Sequence, residues 1–99
     1  MTASTTQSRI LVVDDDDSVR YIVERTLKHE GYGVDSASHG DEATLLVHSN
    51  RYDTVISDIN MPGMSGIELL NVIRHVDLDL PVILITGLPN IETAIQAVE

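Results

Sequence analysis

The stretch Ile10-Leu11-Val12-Val13-Asp14-Asp15 decides how this chain folds. Four apolar residues, three of them β-branched, run without interruption into two carboxylates. A strand buried on both faces reads as such a continuous run, and open α/β sheets carry their chemistry at the carboxyl ends of parallel strands. The pattern recurs. Thr54-Val55-Ile56-Ser57 runs into Asp58, and Val82-Ile83-Leu84-Ile85 runs into Thr86. An acid pair, a third acid and a hydroxyl are therefore expected to converge at one edge of one sheet.

Between these runs the apolar spacing turns helical. Ser18 or Asp17 can cap a helix that carries Val19, Ile22, Val23 and Leu27 on one face, and Gly31 stops it. A short strand near Gly33 to Ser36 follows, then a helix opened by Gly40 and Asp41 with Ala43, Leu46 and Val47 inward. After Asp58 the loop Asn60-Met61-Pro62-Gly63-Met64 leads to Ser65, a good cap for a helix presenting Leu69, Leu70 and Ile73. Pro81 opens the last apolar run, as a first-position or edge proline should, and Asn90 caps a final helix with Ala94, Ile95 and Val98 inward. Strands alternating with helices imply right-handed crossovers and a parallel sheet covered on both faces. The count is four βα units, with the last helix cut short at Glu99.

Length and composition agree with one domain. The 99 residues support one core, and the 42% apolar content includes no stretch approaching a membrane span, so the chain reads as soluble. Residues 1–8, Met-Thr-Ala-Ser-Thr-Thr-Gln-Ser, lack the basic and apolar regions of a secretory signal and are expected to form a disordered lead. Cysteine is absent, which removes disulfides and thiolate metal sites and fits a reducing compartment. A net charge of −10 repels phosphate backbones, so nucleic acid is not expected as a partner of this segment. Four consecutive acids, Asp14 to Asp17, would ordinarily be a solvated face. Their place directly after a buried strand favours a cation site.

Three carboxylates brought close together cannot all ionise cheaply: a pKa rises, or a cation neutralises them. With oxygen ligands alone the cation is hard, Mg²⁺ by preference and Mn²⁺ as the alternative. A carboxylate held beside such a cation can attack phosphorus and form an acyl phosphate, and a hydroxyl such as that of Thr86 could bond a phosphoryl oxygen.

Val12-Val13-Asp14-Asp15, the segment Asp58-Ile59-Asn60-Met61-Pro62-Gly63-Met64-Ser65-Gly66, and Pro81-Val82-Ile83-Leu84-Ile85-Thr86-Gly87 together resemble the receiver domain of bacterial two-component response regulators. The resemblance runs from residue 9 to residue 99. It implies a flavodoxin-like (CheY-like) doubly wound fold with strand order 2-1-3-4 and the fifth βα unit missing. It implies Asp58 as phosphoacceptor, receiving a phosphoryl group from a phosphohistidine on a sensor histidine kinase or phosphotransfer protein. Asp15, Asp58 and the backbone carbonyl of Asn60 would ligate Mg²⁺ directly, and Asp14 through water. Thr86 matches the switch hydroxyl, and Met61, Pro62 and Gly66 the active-site loop. A cytoplasmic location and a signalling role, not an enzymatic one, follow from the same resemblance.

The departures are specific. The family's fifth strand carries a lysine that pairs with the phosphoryl oxygens; Lys28 is the only lysine here and lies on the first helix. Asp17 stands where many relatives have proline. Ending before the fifth strand would leave the fourth as an apolar edge, prone to pair with a second copy, to swap elements, or to be completed by a longer chain. One rival reading is a degenerate, non-phosphorylated interaction module, supported by the missing lysine and opposed by the intact acids. A second is a haloacid-dehalogenase-type phosphatase using Asp14, since Asp14, Asp16 and Ser18 resemble the opening motif of that family. It leaves Asp58 and the following loop unexplained.

Other residues carry less. His29, His39, His48 and His75 are scattered, Met61 and Met64 suit packing or a partner surface, and Gly40 and Gly87 punctuate turns. Tyr21, Tyr32 and Tyr52 read as isolated surface or rim residues.

Overall fold

β1 (Arg9–Val13) forms the centre of a parallel sheet because its four apolar residues can be buried on both faces at once. The computed structural model describes residues 7–86. Their elements alternate: α1 (Asp17–His29), β2 (Gly33–Ala37), α2 (Gly40–Ser49), β3 (Thr54–Asp58), α3 (Gly66–Val76) and β4 (Val82–Ile85) follow β1. The sheet order is β2-β1-β3-β4, all parallel, as the resemblance implied. The lateral step across the sheet from β1 to β2 is opposite to the steps from β2 to β3 and from β3 to β4. Right-handed crossovers therefore place α1 on one face and α2 with α3 on the other. The expected cap at Asn90, with Ala94, Ile95 and Val98, and Gly87 lie outside the described residues.

The main core fills the α2–α3 side, where Leu11, Val13, Val55, Ala43, Leu69 and Ile73 are buried together. Side chains alternate along β1, so Ile10 and Val12 are buried toward the α1 side. Each helix starts on a polar side chain. Ser65 accepts from the Glu68 amide while Glu68 accepts from the Ser65 amide, a reciprocal capping box that starts α3 where expected. The inward residues expected for α3, Leu69, Leu70 and Ile73, are all buried.

Two expectations for α1 are corrected. The cap of α1 is Asp16, which accepts from Ser18 and Val19, and not Ser18 or Asp17. Nor does α1 bury its whole apolar stripe: Arg20, Val23, Glu24 and Leu27 are half-buried, whereas Val19 is 42% and Ile22 61% exposed. The inward face is rotated by about one residue. Among the described residues α1 is alone on its side of the sheet, so its second flank has nothing to pack against.

Tyr52 is likewise no isolated rim residue. It is buried, and its hydroxyl donates to Asp35 Oδ2 at 2.7 Å. Arg9 Nη2 reaches the same oxygen at 2.6 Å, so β1, β2 and the start of β3 are joined by one polar bridge at the edge opposite the acids. Its bond to Tyr52, then that to Arg9, holds the Asp35 carboxyl below its ordinary range, while burial first and Asp35 second push the Tyr52 phenol upward. Residues placed by sequence in the lead are also bonded: Ser8 O accepts from Gly33 N at 2.8 Å, and Gln7 Nε2 donates to Gly31 O at 2.9 Å.

Candidate functional site: an acidic pocket at the strand ends

Neighbouring parallel strands in register must end side by side, and that fixes the site. Val13 pairs with Ser57 and Asp58 with Ile85, so Asp14, Asp58 and Thr86 emerge at the same edge. Asp14 is buried, its N–H bonded to Ala37 O at 3.1 Å and its Oδ1 accepting from Asp16 N at 2.9 Å. Asp15 is exposed, and Asp58 is half-buried. One carboxylate oxygen from each of these three lies within 4.8 Å of the others.

Electrostatics follow from that crowding. The Asp58 carboxyl is held above its ordinary value, first by burial, then by the charge of Asp14 and more weakly by that of Asp15. The Asn60 amide, donating to Asp58 Oδ1 at 3.3 Å, works in the opposite sense. The cluster is thus short of positive charge. An all-oxygen donor set with an unrelieved negative potential fits a hard divalent cation.

The loop after Asp58 is held close beneath the pocket. Ile59 and Met61 are buried and anchor it, while Asn60 and Pro62 face solvent. Gly66 packs directly on the backbone of β3: its N–H donates to Ile59 O at 2.8 Å, and a Cβ there would overlap the Asp58 carbonyl oxygen. Only glycine lets α3 start this near the strand end. Asn60 Nδ2 reaches Thr86 Oγ1 at 3.3 Å.

The sequence-derived site residues therefore come together: Asp14, Asp15, Asp58, Asn60 and Thr86 at the rim, Met61 and Gly66 beneath, Pro62 outside. Lys28 does not join them. It sits in the last turn of α1, about 16 Å along the helix from the acidic end, and faces Glu24 at 4.0 Å. The histidines do not converge either. His39 Nδ1 caps α2 by accepting from Glu42 N, and the Nδ1 atoms of His48 and His75 lie 2.8 Å from the carbonyls of Thr44 and Asn71. Met64 packs partly buried against the core. Arg20 went unnoticed in the sequence although it bonds both the Asp14 carbonyl and Asp17; a basic residue in a helix's first turn, against the helix dipole, was the available signal. Asp16 caps α1 through Oδ1 and is not among the acids that meet Asp58.

Comparison with known proteins agrees with this geometry. Residues 10–99 match the family model described as the response regulator receiver domain. "Response regulator MprA" of Mycobacterium sp. (strain KMS) is 37% identical over 91 residues, 92% of this chain but 40% of that protein. The chain thus spans less than half the length of such relatives. Among solved structures, chemotaxis protein CheY4 of Vibrio cholerae superposes with a TM-score of 0.89 at 33% identity, covering 92% of this chain and 78% of that one. Response regulator protein TrrA of Thermotoga maritima, solved in complex with Mg²⁺–BeF, gives 0.86 at 40% identity, with 92% and 79% covered. With strand order, acidic pocket and family match in agreement, this chain belongs to the response regulator receiver domain family.

Proposed function

We propose that this chain accepts a phosphoryl group on Asp58 from the phosphohistidine of a sensor histidine kinase or phosphotransfer protein. The observation that carries the reading is the meeting of the Asp14, Asp15 and Asp58 carboxylates within 4.8 Å at the ends of adjacent strands. Asp15, Asp58 and the Asn60 carbonyl would hold Mg²⁺ directly, and Asp14 through water; Mn²⁺ is the alternative. The bound cation neutralises charge on the phosphoryl oxygens. TrrA, solved with Mg²⁺–BeF, supports that assignment by analogy.

In the transfer an Asp58 oxygen forms the new bond to phosphorus as the phosphorus–nitrogen bond breaks, and the imidazole takes the electron pair. Water later cleaves the acyl phosphate and returns Asp58. Thr86 Oγ1 would bond a phosphoryl oxygen. The chain is a signalling switch of the cytoplasm in this reading, and its output comes from a further domain or a partner. Pairing with a second copy is also proposed, through β4, where Ile83 is 52% and Ile85 44% exposed. A concentration-independent monomer in light scattering would remove that part.

Incubation with radiolabelled acetyl phosphate and Mg²⁺ tests the central claim. One hydroxylamine- and base-labile phosphate per chain, lost in Asp58→Asn, is the expected result. Labelling that survives Asp58→Asn sinks the assignment, and an unlabelled but folded wild type would favour the interaction-module reading instead.

A further inference from the structure

Four consecutive carboxylates follow β1, yet only Asp14 and Asp15 join Asp58 in the pocket. The other two are held by local bonds. Asp16 Oδ1 accepts from the Ser18 and Val19 amides at 2.9 and 3.1 Å. Asp17 Oδ1 lies 2.6 Å from Arg20 Nη2. The same guanidinium donates from Nη1 to the Asp14 carbonyl oxygen at 2.9 Å. One planar fork therefore spans the loop from its first acid to its last, with Asp15 and Asp16 between. The Arg20 side chain is only 19% exposed while that of Asp17 is 87% exposed, because Arg20 lies on the half-buried flank of α1.

We propose that Arg20 is a positioning residue that pre-organises the Asp14–Asp15 limb of the pocket for a divalent cation. The proposal rests on reading Asp14, Asp15 and Asp58 as a cation pocket. Like charges on adjacent residues splay a free loop, and each ligand then has to be ordered when the cation arrives. A guanidinium fixed at two acceptors removes that cost beforehand. Its own positive charge acts the other way, by repelling the cation. Asp17, at 2.6 Å, offsets most of that charge, so the pair acts at a distance as a weak dipole and ordering dominates.

Arginine's planar fork is what the geometry uses, so lysine is the informative replacement: it keeps the charge, but one ammonium on a flexible stem does not hold both acceptors in this geometry. Amide NMR of the full chain gives two readouts, the order of Asp15 and Asp16 from ¹⁵N relaxation without Mg²⁺, and the Mg²⁺ affinity from titration. Arg20→Lys and Arg20→Gln are expected to keep the β1, β3 and α3 amide signals, to lose order at Asp15 and Asp16, and to bind Mg²⁺ roughly tenfold more weakly. If Arg20→Gln loses the fold, Arg20→Lys decides alone. Unchanged loop order in Arg20→Lys overturns the proposal. So does wild-type affinity in Arg20→Lys combined with tighter binding in Arg20→Gln, which would make Arg20 a charge effect only. An unsubstituted protein that ignores Mg²⁺ overturns the cation pocket and the proposed function with it, while the loop-order comparison still decides whether Arg20 holds the loop.

Discussion

Asn60 Nδ2 donates to Thr86 Oγ1 at 3.3 Å, so the loop after β3 and the end of β4 hold each other at the rim of the acidic pocket. In the proposed cycle Thr86 turns to a phosphoryl oxygen on Asp58, and the Asn60 bond competes with that turn. Asn60→Ala should therefore bind the phosphoryl mimic beryllofluoride, with Mg²⁺, about two- to fivefold more tightly, the worth of one partly exposed hydrogen bond. Thr86→Ala should bind it more weakly. Fluorine NMR titration reads both, and an Asn60→Ala affinity equal to wild type would show that the two bonds do not compete.

Asp58 makes stability depend on pH. Its folded carboxyl binds a proton more tightly than the ordinary value of 3.8, because burial and the charges of Asp14 and Asp15 disfavour the ion. Folding is thus favoured below that value, and the advantage is lost as pH rises through the higher folded value. Asp58→Asn carries no such penalty. In chelator near neutral pH it should melt a few degrees above wild type, and the gap should close in acid. Mg²⁺ should raise the wild-type midpoint and leave that of Asp58→Asn nearly unmoved. A gap that persists at about pH 3 would place its origin elsewhere than in the Asp58 charge.

The bridge at the opposite edge titrates in the other sense. Asp35 is held below its ordinary 3.8 by Tyr52 first and Arg9 second, so its contribution stands above that value and is lost as pH falls through the lower folded one. Tyr52→Phe removes the leading bond while keeping the ring. We expect a loss of about 1 kcal/mol near neutral pH, modest because a third of the Asp35 side chain is exposed, as the 34% figure records. Urea melts should show that deficit shrinking in acid; a deficit independent of pH would mean that the hydroxyl matters through packing alone.

What the sequence made legible was local or periodic. Asp14, Asp58 and Thr86 could be placed because each ends an apolar run, and parallel register then aligns the ends of such runs. Ser65 could be placed because a cap and its Glu68 partner are three residues apart. Pairings at long separation left no such mark. Tyr52 and Asp35 meet only because β2 and the start of β3 flank the same end of β1, a relation that no spacing records. Val19 and Ile22 misled for a related reason: helical period shows that a stripe is apolar, while the packing neighbours decide how much of it is covered. Arg20 was hidden by composition, one basic residue after a run of acids that read as a cation site without it.

Gly66 sits where the end of β3 under Asp58 meets the start of α3. A Cβ at this position would overlap the Asp58 carbonyl oxygen and stand 2.9 Å from Ile59 Cα. Both obstacles are backbone, so no rotamer change relieves them. Either α3 retreats, breaking the Gly66 N–H bond to Ile59 O, or the end of β3 shifts and carries Asp58 with it. Gly66→Ala should therefore cost about 3 kcal/mol, at the upper end for overpacking, and lower phosphoryl labelling of whatever fraction remains folded. The neighbouring Ser65→Ala removes the cap and half of its box with Glu68, and should cost about 1 kcal/mol with labelling unchanged. Denaturant melts and acetyl-phosphate labelling of the two variants side by side make the comparison. Equal labelling per folded molecule in both would mean that α3 gives way and that Asp58 keeps its place; a larger loss in Gly66→Ala means that the strand end itself has moved.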